Sequence, residues 1–271
     1  MTDSTEFDRR KMLLLGAASA AAAGLAPAAF AQGSGTVRPS RLRHYVIAAK
    51  DMDAVCGELY KLLDVVPVSK EAGNEPTLAF GFRTKMIRVG TTLIEVVSPI
   101  REKHQLQDFF VERGGDGGYM VVMQTYDDTA LLARAAAANH KLAFEIPNFM
   151  GQHLMQFDYK TFGTRFEFYK YTPEDNWWGN PLHGDYNDPK AAEDITGAEV
   201  AVESPAAIAA TAVSTFLGKQ DGASVTFIDR RIDFVEPKGK ARGLTAIYLK
   251  ARDRSRVGTS ATIANVEFRF V

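Results

Sequence analysis

The sequence predicts an α+β fold of repeated βαβββ modules, two well formed and two weaker or degenerate. Period-two β-rich runs lead into apolar runs at helical spacing. The whole pattern then starts again: aligning "HYVIAAKD" with "MVVMQTYD" sets Met120 opposite His44, and aligning "LIEVV" with "RFEFY" sets Glu167 opposite Glu95. Two independent anchors with nearly the same period mark an internal repeat.

The first unit opens at "LRHYVIAAKDMDAVCGELYKLLDV", a strand and then an amphipathic helix that either Asp51 or Asp53 can cap. Cys56, the single cysteine, sits among Val55, Leu59 and Leu62 at helical spacing, where it reads as a small buried hydrophobe and allows no internal disulfide. "TLAFGF" and "MIRVG" read as further strands, and "TTLIEVVSPI" closes the unit, with Pro99 ending the pairing. "GGDGG", residues 114 to 118, is a turn before a strand and lacks the lysine of a phosphate loop.

The second unit takes its strand and helix from "YMVVMQTYDDTALLARAAAANHKL", then "HLMQFDY" and "TRFEFYKY" as strands. After the polar, aromatic connector "TPEDNWWGNPLHGDYNDPKAAED" a third unit follows, with Gly197 at the place of His44 and Asp233 at that of Glu95. The fourth is too short for a full helix; Ala246 takes the histidine position and Glu267 that of Glu167. The expected organisation is an export signal at 1–31, a linker at 32–41, a two-module domain at 42–172, a connector at 173–194 and a second, degenerate domain at 195–271.

The 271 residues are 46% hydrophobic and 24% charged, enough apolar content for one large or two small cores. Thirty-two basic against 33 acidic residues leave no excess to condense on phosphates, which argues against a nucleic-acid partner. Arg9 and Arg10 precede an uncharged alanine-rich stretch and the small-x-small site Ala29-Phe30-Ala31, the pattern of a removable signal. The alternative is an anchor, since Met12 to Ala31 is about long enough to span a bilayer. The arginine pair followed by Lys11-Met12-Leu13 resembles a twin-arginine signal, which implies export of a folded protein. Cleavage after Ala31 would leave a periplasmic or otherwise exported protein without a stable membrane span.

His44 with Asp51 seven residues on, "YKLLDV", "GTTLIEVVSP" and "FFVERGGDGGYMVVM" together resemble the vicinal oxygen chelate superfamily, the glyoxalase, bleomycin-resistance and extradiol dioxygenase group. The resemblance is dense over 42–172 and fainter over 195–271. It implies that modules pair into curved mixed-sheet cups, with a divalent metal held from the first and last strands of both modules. Carried over, the metal positions are His44, Glu95, Met120 and Glu167. An imidazole and two carboxylates suit iron, manganese, zinc or nickel, whereas the thioether of Met120, after Tyr119, departs from the family pattern. Gln124 is a shifted neighbour that could fill the gap.

The implied activity is a metal-dependent isomerase, lyase or dioxygenase acting on a small oxygenated molecule, with Glu95 and Glu167 moving protons. The alternative is a metal-free protein that holds an apolar or aromatic ligand in the cup. Tyr119, Met120, Gln124, His153, Arg165 and Trp177 are the candidate substrate-binding residues. His153 starts a strand on which it shares a face with Met155 and Phe157, opposite Leu154 and Gln156; either face could line the cup. Arg165, two residues from Glu167, could neutralise it without a metal. The expected partners are a small-molecule substrate or ligand and a second copy of the chain.

Overall fold

The first strand, β1 (Arg41–Ala48), is buried along almost its whole length: its second half, Tyr45–Ala48, runs apolar, while Arg43 and His44 are buried polar residues. The computed structural model describes residues 38–68, 77–78, 80–101, 104–239 and 242–271. The expected export signal at 1–31 lies outside the described residues. α1 (Met52–Leu63) follows β1, with the Asp51 carboxylate accepting from the Ala54 N–H as its N-cap, while Asp53 faces Lys85 and Arg83. Met52, Val55, Cys56, Leu59 and Leu63 form its buried face.

Only two strands, β2 (Phe82–Val89) and β3 (Thr92–Pro99), follow among the described residues. Of "TLAFGF", the described residues before Phe82 form no strand: Phe80 and Gly81 donate back to Thr77 and Leu78, and Gly81 at φ 87° turns the chain into β2. After α2 (Gln105–Arg113), the second module is complete: β4 (Gly117–Gln124), α3 (Asp128–Ala137), β5 (Leu142–Phe149), β6 (Gln152–Phe157), α4 (Tyr159–Phe162) and β7 (Arg165–Lys170). The third module has β8 (Ala192–Ala201), α5 (Pro205–Phe216), β9 (Lys219–Asp221), β10 (Ser224–Phe227) and β11 (Arg230–Val235). The fourth, with β12 (Gly243–Ala251), β13 (Ser260–Ile263) and β14 (Val266–Phe270), has only a 3-10 turn in place of its helix.

Two mixed seven-stranded sheets result, ordered β2-β3-β1-β4-β7-β6-β5 and β13-β14-β12-β8-β11-β10-β9. In the first, β1 and β4 pair antiparallel at the centre, and each carries its module's last strand, β3 or β7, as a parallel neighbour. The sheet curls until its edges meet: Phe80, before β2, lies 6.1 Å from Phe144 and 5.6 Å from Phe149 of β5. The α+β class and the paired modules are thus as the sequence predicts.

Residues 38–271 form one compact unit with a shared core. Phe216 of α5 sits 4.7 Å from both Phe162 and Phe168 and 5.2 Å from Phe166, so a helix of the second half fills the back of the first sheet. Gly118 explains part of the glycine-rich turn, since a Cβ there would run into the Leu244 carbonyl oxygen of β12. Arg230, 2% exposed, bonds Thr91 at 2.6 Å and Asp194 at 2.7 Å and pairs with Asp229, tying the β2–β3 turn to the second sheet. Among the described residues no helix is long and apolar enough to cross a membrane.

Candidate functional site

Strand alternation turns His44, Glu95, Met120 and Glu167 to the concave face of the first sheet. The pairing confirms the internal repeat residue by residue. Glu95 lies across from Val46 in the β1–β3 pair, as Glu167 lies across from Val122 in β4–β7; Leu93 faces His44 as Arg165 faces Met120.

His44 is 1% exposed. Its Nε2 lies 3.4 Å from Glu95 Oε2, longer than a good hydrogen bond, and its Nδ1 has no hydrogen-bond partner among the described residues. Burial, reinforced by Arg43, lowers the imidazole pKa to about 3. Glu95 accepts a 2.7 Å bond from the Thr84 hydroxyl, but burial outweighs that bond and raises its pKa to about 7. Glu167 accepts from the Gln156 amide at 3.0 Å, and its pKa is likewise raised to about 7, by burial first and by Glu95 second. Desolvation therefore works against charge on all three groups. The His44–Glu95 contact joins a neutral imidazole to a carboxyl that keeps its proton up to about neutral pH, despite a separation that would suit an ion pair. Glu167 is less deeply buried than Glu95 and marks the side on which the site meets solvent.

Above these groups the concave face is aromatic. Tyr169 and Tyr171 stack at 5.3 Å, and Trp178 of the connector lies 6.1 Å from both Tyr169 and Phe149. Tyr186 fixes this cover by donating a 2.8 Å bond to the Trp178 carbonyl.

The remaining expected residues divide. Met120 is on the concave face, but its sulfur rests 3.3 Å from the Gln156 amide nitrogen. Arg165 does not pair with Glu167; it donates at 3.0 Å to Gln156 Oε1, so Gln156 stands between guanidinium and carboxyl. Gln124 is turned away from the acids, accepting from Arg43 Nε and donating to the Glu174 carbonyl, each at 2.8 Å. Trp177 lies under the Arg43 guanidinium at 4.6 Å on the same rim. His153 is remote from the concave face: Leu154 and Gln156 point inward, while His153 bridges Asp128 at 2.7 Å and Glu145 at 2.9 Å. Tyr119 is buried beside Arg165. Gln156 and Thr84, the groups that hold the two carboxyls, were not expected; the alternation of "HLMQF" was the one signal for Gln156.

The donor set does not fit the expected metal. One oxygen of each carboxyl is taken by Thr84 or Gln156, and a thioether stands at the fourth position. Among the described residues no group of three or more His, Cys, Asp or Glu side chains is placed to hold a metal ion.

The second sheet shows what the same positions look like when satisfied. Pairing of β12 with β14 sets Glu267 across from Ala246 and Arg269 across from Tyr248. Arg269, not Glu267, is therefore the equivalent of Glu167, which corrects the alignment by two residues. Arg269 binds Glu199 and Glu267, and the single Tyr248 hydroxyl proton is shared between Glu199 at 3.0 Å and Asp233 at 2.9 Å. Burial pushes Asp233 up, but bonds from Arg231, Ser224 and Tyr248 prevail and hold its carboxyl below the usual range.

No family model and no curated protein matches the chain. Among solved structures, a hypothetical protein from Staphylococcus aureus superposes with a TM-score of 0.60 at 10% identity, over 86% of this chain and 99% of its own. Methylmalonyl-CoA epimerase from Mycobacterium tuberculosis gives 0.42 at 19% identity, over 51% and 93%. A hypothetical protein from Bacillus halodurans gives 0.42 at 16%, over 49% and 94%. At these identities the likeness concerns the fold alone.

Proposed function

We propose that this chain is an exported protein of the vicinal oxygen chelate type that takes a small oxygenated molecule at the concave face of its first sheet and moves protons on it. One observation carries this reading: Glu95, buried, and Glu167, half-buried, stand at repeat-equivalent places and both have pKa values raised to about 7. Their titrations are coupled, so near neutral pH one carboxyl holds a proton while the other can accept one. The carboxylate takes a proton from a carbon beside a carbonyl, leaving an enolate, and the protonated partner delivers its proton either to the opposite face of that carbon, an isomerisation, or to a group leaving from the neighbouring carbon as the enolate collapses to a double bond, a lyase step. That is isomerase or lyase chemistry. His44 stays neutral and offers an Nδ1 unpartnered among the described residues to a substrate oxygen or its hydroxyl. No step is assigned to a metal, because the donor set does not fit one.

The second reading, a ligand-holding protein without catalysis, is favoured by the aromatic cover of Phe149, Tyr169 and Trp178. One experiment separates them. A panel of small ketones and carbonyl acids is incubated with the chain in deuterated water, and exchange at the carbon beside the carbonyl is followed by NMR. Exchange that is lost in Glu95→Gln and Glu167→Gln supports the enzyme. Saturable binding without exchange supports the carrier, and neither result with any panel member would sink both.

A further inference from the structure

At one end of their seam the two halves of the molecule leave a cleft of about 820 Å³ whose lining includes none of His44, Glu95 and Glu167. One wall comes from α2, the start of β4, α4 and the start of β7; the other comes from the ends of β8 and α5 and the start of β12.

Two guanidinium groups open into it without a carboxylate partner among the described residues. Arg113, in the last turn of α2, is partly buried with its guanidinium 5.8 Å from the Phe109 ring, and burial lowers its pKa. Arg165 spends a single bond on Gln156 and lies over the rings of Tyr119 at 5.5 Å and Tyr159 at 5.7 Å. Between them, Phe109 and Tyr119 meet edge to face at 5.0 Å. The Tyr119 hydroxyl is buried and has no hydrogen-bond partner among the described residues. The acids of the cleft do not answer these cations: Glu203 is held by Arg242, and Asp108 and Glu112 stand exposed at the rim.

A partly desolvated cation and a buried hydroxyl without partners both cost free energy that an anionic acceptor would recover. The planar fork of arginine matches a carboxylate or a phosphate, and the rings beside it offer flat apolar surface. We propose that this cleft binds a small organic oxyanion, a carboxylate or a phosphate ester on a flat apolar body, with Arg113 and Arg165 holding the anion and Tyr119 donating to it. The site does not rest on proton transfer at Glu95 and Glu167.

The test is calorimetric titration of the full chain with benzoate, phenyl phosphate and, as a neutral control, benzyl alcohol. At least one anion should bind with one site per chain, the alcohol should not, and the stronger anion tells carboxylate from phosphate. Affinity should fall about tenfold or more in Arg113→Gln and in Arg165→Gln. Arg113→Lys, which keeps the charge but not the fork, should fall part of the way. Glu95→Gln should bind as the unaltered chain does, which keeps this outcome apart from any failure at the concave face. If Arg113→Gln does not fold, Arg113→Lys and Arg165→Gln decide. Absence of binding by both anions, or affinity unchanged in the folded arginine variants, would overturn the proposal.

Discussion

His44 Nε2 and Glu95 Oε2 stand 3.4 Å apart in a site so poorly hydrated that the pair favours its neutral form, proton on the carboxyl and imidazole uncharged. Elsewhere such a contact would be read as a salt bridge. Here burial decides the protonation, and it has consequences for stability as well as for chemistry.

Glu95 and Glu167 bind protons more tightly in the folded chain, near pH 7, than at the ordinary carboxyl value of 4.5. Their contribution is therefore complete below pH 4.5 and is lost as pH rises through 7. His44 works the other way: its pKa falls from 6.5 to about 3, so the unfolded chain gains a proton that the folded chain refuses as pH drops below 6.5. Denaturation midpoints followed from pH 5 to pH 8 should decline. Glu95→Gln with Glu167→Gln should abolish that decline and leave a rise up to pH 6.5 from His44, and His44→Gln should steepen the decline below pH 6.5.

Gln156 gives Glu167 its 3.0 Å hydrogen bond, which favours the carboxylate. Gln156→Leu should raise the Glu167 pKa further and leave that of Glu95 nearly in place, as read by carbon-13 NMR of labelled carboxyls. An unchanged Glu167 would mean that the bond is not made in solution.

Phe216 belongs to the second half but is buried in the phenylalanine cluster of the first. Phe216→Ala should cost roughly 3–5 kcal/mol. Urea unfolding should remain one transition reported alike by probes in both halves; two separated transitions would contradict a shared core.

Arg230 is the charged counterpart of that contact. Removing it in Arg230→Ala leaves Asp194 without its cation, while Asp229 keeps Arg41 at 2.7 Å, and the loss should be roughly 3 kcal/mol in the same assay. His153→Gln, which touches only the rim pairs with Asp128 and Glu145, should change stability by no more than about 1 kcal/mol.

How much was legible in the sequence follows from which contacts are local. The repeat and the alternation of each strand are local patterns, and they were enough to bring His44, Glu95 and Glu167 to one face. Gln156 was missed as the partner of Glu167 because that contact depends on β6 lying beside β7 in the sheet order. The slip between Glu267 and Arg269 has a different cause: a shift of two residues along a strand leaves every side chain on its original face, so alternation cannot detect it. Only the pairing with Ala246 and Tyr248 resolves it. The strand expected at "TLAFGF" fails among the described residues before Phe82 because a turn closed by Gly81 satisfies the backbone locally before β2 begins.

The central claim is that Glu95 and Glu167 form a coupled pair of carboxyls titrating near neutrality. Carbon-13 NMR of the glutamate side-chain carboxyls across a pH titration tests it most directly, with Glu95→Gln and Glu167→Gln for assignment. The account predicts two carboxyl resonances that titrate around pH 7, with that of Glu167 moving towards the ordinary range when Glu95 is replaced. If every glutamate carboxyl instead titrates near 4.5, the concave face is hydrated in solution and the proton-transfer reading falls.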